Sequence, residues 1–183
     1  MLTWLRILLI PVFLMFYYFP ETWMERQSVN FIAAGIFLLA AITDWLDGYL
    51  ARKLKQTSAF GAFLDPVADK LMVAAALILL LQLGRVDASV ALIIIGREIA
   101  ISALREWMAG GGQRKNVTVA FIGKIKTASQ MIAILLLLYH ERLLGLDIQG
   151  IGTWLIYIAA VLTVVSMVFY IFQAFYSSRK PSH

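Results

Sequence analysis

Six apolar stretches, roughly 2–19, 30–50, 63–83, 89–108, 119–139 and 150–175, follow one another with only short connections between them. Each is close to the 20 or so residues that a helix needs to cross a bilayer. In lipid every backbone N–H and C=O must be satisfied internally, which leaves helices or a closed barrel. Alternating apolar and polar residues, the mark of a barrel strand, are absent, so the pattern predicts six transmembrane helices. Composition agrees: 61% of the 183 residues are hydrophobic and the mean hydropathy is +0.81. The first stretch has Arg6 ahead of an apolar run from Ile7 to Phe19, as a signal peptide does, but no small-residue cleavage site follows. It is therefore counted as a span.

Lysine and arginine set the orientation. The second connection carries Arg52, Lys53 and Lys55, the fourth Arg114 and Lys115, and the tail Arg179 and Lys180. The first, third and fifth connections mix single arginines with acids, such as Arg85 with Asp87 and Arg142 with Glu141. The prediction is an all-α, polytopic membrane protein, one domain over 1–183, with both termini and connections two and four in the cytoplasm. The net charge of +5 then points to anionic lipid headgroups, and no motif points to nucleic acid. With no cysteine, and His140 and His183 as the only histidines, a zinc site is not expected.

Four aspartates break the apolar pattern. Asp44 and Asp47, three apart, close the second segment, and Asp65 and Asp69, four apart, open the third. Each pair shares a helix face. A short connection makes the two segments antiparallel neighbours, so the pairs should face each other near the cytoplasmic boundary. Carboxylates so placed repel and are costly to desolvate unless cations sit among them. Oxygen-only ligands favour Mg²⁺, Mn²⁺ or Ca²⁺, and two such ions could clamp phosphate oxygens. Gly48, Ala51 and Gly61 allow close approach. The plain alternative is four ordinary helix-end carboxylates in headgroup water.

The pattern Asp44-x2-Asp47-Gly48-x2-Ala51-Arg52-x8-Gly61-x3-Asp65-x3-Asp69 resembles the signature of the CDP-alcohol phosphatidyltransferase family at all eight fixed positions. The resemblance implies a homodimeric enzyme of the bacterial cytoplasmic (inner) membrane, with its site facing the cytoplasm. A CDP-linked lipid gives its phosphatidyl group to an alcohol and CMP leaves. It implies Asp44, Asp47, Asp65 and Asp69 as ligands of Mg²⁺ or Mn²⁺, two ions in all, with Asp69 also the general base. It implies Gly48, Arg52 and Ser58 as holders of the CDP portion of CDP-diacylglycerol; for Ser58 the other reading is a loop hydroxyl in water. Thr3 and Arg6 match the Thr and Arg that follow an Asn-Pro stretch in the family pattern, and are implied donor contacts; the Asn-Pro stretch falls ahead of residue 1.

The acceptor is read from segments four and five. Arg97, Ser102 and Arg105 lie near one face of the fourth, and Lys124, Lys126 and Gln130 open the fifth. They form either a pocket for a phosphate on the acceptor or ordinary structural contacts. In the second case Arg97 bridges to Glu98 or an aspartate, and the lysines snorkel to the cytoplasm. A neutral acceptor needs no such set of cations. The stretches Arg97-Glu98 to Arg105-Glu106, Phe60-Gly61 to Asp69-Lys70 and Gly123-Lys124-x-Lys126-Thr127-x2-Gln130 are similar to the branch of the family that uses glycerol 3-phosphate. That similarity implies glycerol 3-phosphate as acceptor, bound by Arg97, Ser102, Arg105, Lys124, Lys126 and Gln130.

Another acceptor alcohol is the nearest alternative. A divalent-cation transporter is the alternative from another class, since carboxylates inside a bundle mark ion paths. Against it, no acids lie deep in segments five or six. A prenyl-diphosphate transferase also pairs metals with diphosphate, but its usual aromatic acceptor has no use for these cations. The run Gly110-Gly111-Gly112 reads as a loop over the site, and Trp4, Tyr17, Tyr18, Trp23 and Trp107 as interfacial anchors.

Overall fold

The structure is a computed structural model. It describes residues 2–54, 59–109, 117–143 and 145–178, with side chains at 4–46, 64, 66–104, 125–143, 145–169 and 171–172. Ser58, the glycine run 110–112, Arg114, Lys115 and the tail basic residues Arg179 and Lys180 lie outside the described residues. The described residues hold six α-helices and no strand: α1 Leu2–Met15, α2 Arg26–Leu54, α3 Ala59–Gln82, α4 Ala88–Ala109, α5 Val117–Tyr139 and α6 Ile148–Ser178. A 3₁₀ turn, Phe16–Tyr18, follows α1.

The helix ends have local causes. The first segment stops short of residue 19 because Pro20 pushes Phe19 into extended backbone (φ −67°, ψ 138°), and the chain tightens into the 3₁₀ turn before it. α2 runs on past its aspartates through Leu50-Ala51-Arg52-Lys53-Leu54, all good helix formers, so Arg52 and Lys53 stand on helix rather than in the connection. α3 ends in a Schellman motif: Gly84, at φ 68°, donates to the Leu81 carbonyl and Arg85 to that of Leu80. α6 is capped by Asp147, whose Oδ1 accepts from the Gly150 amide at 3.1 Å.

The helices pack in the ring order α1–α2–α5–α6–α4–α3, with α3 and α5 touching across the middle. Among the described residues α2 and α3 meet only slightly, although a short connection joins them. The close antiparallel pairing expected of them is replaced by α1, which packs against both. The broadest contact is α5 on α6. A side chain at Gly152 would stand 3.0 Å from Leu137 Cγ, so the missing Cβ is what lets α6 come so close.

The interior changes character along its length. The apolar core fills the half that contains Phe13, Phe37, Leu77, Ile94, Leu137 and Ile156. The end beyond it is closed by a hydrogen-bond lock. Arg85 donates to the carbonyls of Leu137 and Leu138, left over at the end of α5, and to Asn30 Oδ1 at 2.9 Å. Asn30 also accepts from Tyr17 and donates to Glu141. Burial holds the Arg85 pKa below its ordinary value, against the attraction of neighbouring Tyr17 and Glu141. The half opposite the lock has a polar interior, with Arg6, Arg97, Lys126, Gln130, Thr163 and Ser166 all buried.

Outside, the bundle is as apolar as its core: Leu8, Phe31, Ile78, Leu92, Val161 and Phe172 all point away from the protein. A soluble bundle shows a polar outer stripe on each helix; among the described residues these outward positions are large and apolar instead. Among the described residues two stretches, Arg26–Leu46 and Ile148–Phe169, are long and apolar enough to cross a membrane by themselves. Trp4–Tyr18 and Ile125–Tyr139 are shorter apolar helices.

Candidate functional site

The polar half brings residues from all six helices to one end of the bundle. From α1 comes Arg6, whose guanidinium is buried and places Nη1 2.5 Å from Asp44 Oδ1 on α2. Asp44 is close to half exposed, so the pair sits at an opening rather than in the core. Asp69, half-buried on α3, lies within electrostatic reach of Asp44, Arg6 and Glu98 as well as of Lys70. One aspartate of each sequence pair is thus brought to a common site. Asp47, Gly48, Arg52 and Asp65 lie on the same helical ends, but their side chains are outside those described, as are those of Thr3, Arg105 and Lys124.

Next to the acids is a buried ionic cluster. Arg97 on α4 gives Nη1 to Glu98 Oε1 at 2.8 Å and Nη2 to Ser166 Oγ of α6 at 3.2 Å. Lys126 on α5 gives Nζ to the same Glu98 oxygen at 2.5 Å. Lys126 is fully buried, so it does not snorkel to the surface as one sequence reading allowed. For Arg97 the bridge to Glu98 is present, and the guanidinium still faces the cluster. Gln130 lies one helical turn beyond Lys126 and is buried beside it on α5. Ser102 donates its hydroxyl proton to the Glu98 carbonyl at 2.7 Å, which leaves its oxygen lone pairs for a further partner.

Sequence reading missed the α6 contribution. Thr163 and Ser166 are fully buried, and Ser166 donates to the Thr163 carbonyl at 2.9 Å while accepting from Arg97. The signal was present: two hydroxyls three apart in a long apolar segment share a face. Glu98 was visible only as a neighbour of Arg97. Its part as the bridge between α4 and α5 depends on which helices adjoin.

The arrangement joins two unlike charge environments. One is acidic and partly open, and its donors are all oxygen, which suits hard divalent cations. Among the described residues no group of three acids is gathered there: Asp44 is paired with Arg6, and Asp69 stands within electrostatic reach of both. The other is cationic, buried and hydrogen-bonded, which suits a phosphate. Glu98 stands between them.

A family model for CDP-alcohol phosphatidyltransferases matches residues 1–165. The chain belongs to the CDP-alcohol phosphatidyltransferase family. The match takes in α1 to α5 and the first part of α6, and with them every site residue expected from the sequence; Ser166 lies one residue beyond it. Curated relatives in the family are similar along nearly the whole chain. The CDP-diacylglycerol–glycerol-3-phosphate 3-phosphatidyltransferase of Pectobacterium atrosepticum is 48% identical over 99% of this chain and 96% of its own. Proteins of the same name from Sodalis glossinidius (48% identical, 94% of this chain and 93% of the relative) and Escherichia coli strain K12 (46%, 95% and 92%) match as well.

Proposed function

We propose that this phosphatidyltransferase moves the phosphatidyl group of CDP-diacylglycerol to glycerol 3-phosphate, giving phosphatidylglycerophosphate and CMP. The observation that carries the reading is the Arg97–Glu98–Lys126 cluster, whose Glu98 lies within electrostatic reach of Asp69. A cationic pocket beside an acidic site is what a phosphorylated acceptor and a diphosphate donor together need, and the names of the relatives agree.

In the reaction the hydroxyl oxygen on carbon 1 of glycerol 3-phosphate bonds to the phosphatidyl phosphorus. The bond from that phosphorus to the CMP oxygen breaks, and CMP leaves with the electron pair. Asp44, Asp47, Asp65 and Asp69 would hold two divalent ions, Mg²⁺ or Mn²⁺, which supply charge stabilisation to the diphosphate. Asp69 accepts the hydroxyl proton as the new bond forms. Gly48, Arg52, Ser58, Thr3 and Arg6 hold the donor, with Arg6 positioned by Asp44. Arg97 and Lys126 bind the acceptor's phosphate, with Arg105, Lys124, Ser102 and Gln130 around it. Bidentate contact from Arg97 fixes the acceptor's direction.

The same reading places the enzyme in the bacterial inner membrane as a homodimer with six spans and lipid around its apolar exterior. Both termini and the site face the cytoplasm. α3 and α4 carry charges of the site, Asp69 and Arg97 with Glu98, which need to be stable only within the bundle.

The test is CMP release by the purified chain from CDP-diacylglycerol with glycerol 3-phosphate, glycerol, serine or inositol phosphate in turn. Release is expected with glycerol 3-phosphate, stopped by a chelator and restored by Mg²⁺ or Mn²⁺. Release with a neutral alcohol and none with glycerol 3-phosphate would overturn the reading.

A further inference from the structure

Within the ionic cluster Glu98 occupies a particular place. Its Oε1 takes Arg97 Nη1 at 2.8 Å and Lys126 Nζ at 2.5 Å, so one carboxylate oxygen is shared by a guanidinium and an ammonium. A phosphate oxygen makes the same kind of contact with the same two donors. The carboxylate and the acceptor's phosphate are therefore competitors for one pair of cations.

Two further observations bear on which of them the pocket is built for. Three polar atoms of the cluster have no partner among the described residues: Arg97 Nε, Gln130 Oε1 and Thr163 Oγ1. They belong to side chains at least nine-tenths buried, contributed by α4, α5 and α6. Buried polar atoms in native proteins nearly always have partners. Glu98 thus uses only part of what the pocket offers, and a phosphorylated polyol brings both oxygens for Arg97 and hydroxyls for Gln130 and Thr163. The other observation is exposure. Glu98 keeps 22% of its side chain accessible against 9% for Arg97 and none for Lys126. It is the member of the triad with room to leave, and Asp69 within its field marks the acidic site as its neighbour.

We infer that Glu98 is an internal placeholder for the acceptor's phosphate: it neutralises Arg97 and Lys126 in the acceptor-free enzyme and is displaced from them when a phosphorylated acceptor binds. The inference rests on the proposed reading of Arg97 and Lys126 as the acceptor's phosphate contacts. It makes Glu98 a determinant of specificity. Two buried cations without a counter-charge are strongly unfavourable, so the placeholder keeps the bundle closed. A neutral alcohol has nothing to exchange for the carboxylate and leaves the triad shut, whereas a phosphate dianion replaces it like for like.

The experiment compares the full chain with Glu98→Gln in detergent, reading the thermal midpoint against inorganic phosphate, glycerol 3-phosphate and glycerol, and then the KM and kcat for glycerol 3-phosphate. Glutamine keeps the shape of the bridge and removes its charge. E98Q is expected to unfold at lower temperature without ligand and to be raised more than wild type by phosphate. Its half-maximal phosphate concentration is expected to be lower by about fivefold or more, the low end of typical coupling between two sites. KM for glycerol 3-phosphate falls in step, kcat does not rise, and glycerol stabilises neither protein. A phosphate response that is unchanged or weaker in E98Q would overturn the inference and make Glu98 a fixed scaffold for the cations. Should E98Q fail to accumulate, Glu98→Asp, with a shorter reach and a weaker grip, is expected to shift in the same direction; a weaker phosphate response in E98D overturns the inference equally. Phosphate binding needs no turnover, so the two readings fail separately. Tighter phosphate binding in E98Q with no CMP release by wild type would sink the reaction and keep the placeholder. Normal turnover without that tightening would sink the placeholder alone.

Discussion

In the proposed reaction Asp69 does two things that pull against each other, holding a cation and taking a proton, and its neighbours decide the balance. Asp44 and Glu98 put negative charge near it and Arg6 positive charge. Asp69→Asn keeps the volume and removes the proton acceptor. CMP release is expected to fall at least about 10²-fold, the low end of general-base contributions, with the thermal midpoint close to that of wild type. A variant that keeps its rate would show that Asp69 is not the base. A second residue-scale prediction concerns His140, at the far end of the bundle. It sits at φ 60°, unusual for a residue with a side chain, and burial followed by the Arg85 charge lowers its pKa from the ordinary 6.5, against the opposite pull of Glu141 and Asp147. The folded protein then binds fewer protons than the unfolded chain just below that value. Stability is present above about pH 6.5 and declines as the pH falls through and below it. His140→Asn, which also tolerates positive φ, is expected to remove that part of the pH dependence of the thermal midpoint. An identical pH profile in the variant would assign the dependence elsewhere.

At the scale of elements, the helix ends are where sequence and geometry meet most closely. Asp147 caps α6, and the cap works because residue 150 is glycine: a Cβ there would stand 2.5 Å from Asp147 Oδ2. Asp147→Ala is expected to destabilise the chain by about 1 kcal/mol, and Gly150→Ala by a similar amount, because the added methyl expels the cap. The double variant should cost little more than either single one, since both remove one interaction. Additive losses in chemical denaturation would refute the shared cause. Gly84 has a different task. Its positive φ turns the chain so that Arg85 reaches the end of α5, and through Asn30 the same lock joins α2, α5 and the 3₁₀ turn after α1. Asp87 adds a tie from the start of α4 to Tyr157 of α6. From sequence Gly84, Arg85, Asp87 and Asp147 read only as connection residues, since a lock made of residues from five places in the chain has no local pattern.

For the whole molecule the division of the interior matters most. One half is apolar and locked at its end; the other is polar and carries the candidate site. A rigid half beside a polar half gives the site fixed walls, with each charge held by a helix whose other end is packed. The proposed orientation is testable directly, because the chain has no cysteine. A single cysteine at Lys55, in the basic second connection, is expected to be labelled by an impermeant thiol reagent only in inside-out vesicles. A cysteine at Arg142, on the locked end, is expected to be labelled only in right-side-out ones. Labelling of both from one side would contradict six crossings with this orientation.

The all-helical fold was legible because apolar runs of spanning length leave a chain few options, and the aspartate pairs because helical spacing is a local property. Their summed pattern was enough to name the family. Partnership was not legible. Nothing near Arg6 in the chain marks Asp44 as its contact, nothing in α6 ties Ser166 to Arg97, and nothing around Lys126 marks Glu98 as its partner. The short link from α2 to α3 suggested that these two would pack directly, yet α1 comes against both. Which helix adjoins which follows from the long-range fit of side chains such as Phe13, Leu77 and Leu137, and from close approach at Gly152. That fit is a property of surfaces assembled from distant residues. Asp44 and Asp69 could be picked out by spacing along the chain, whereas Arg6 and Glu98 join them only through the packing of helices.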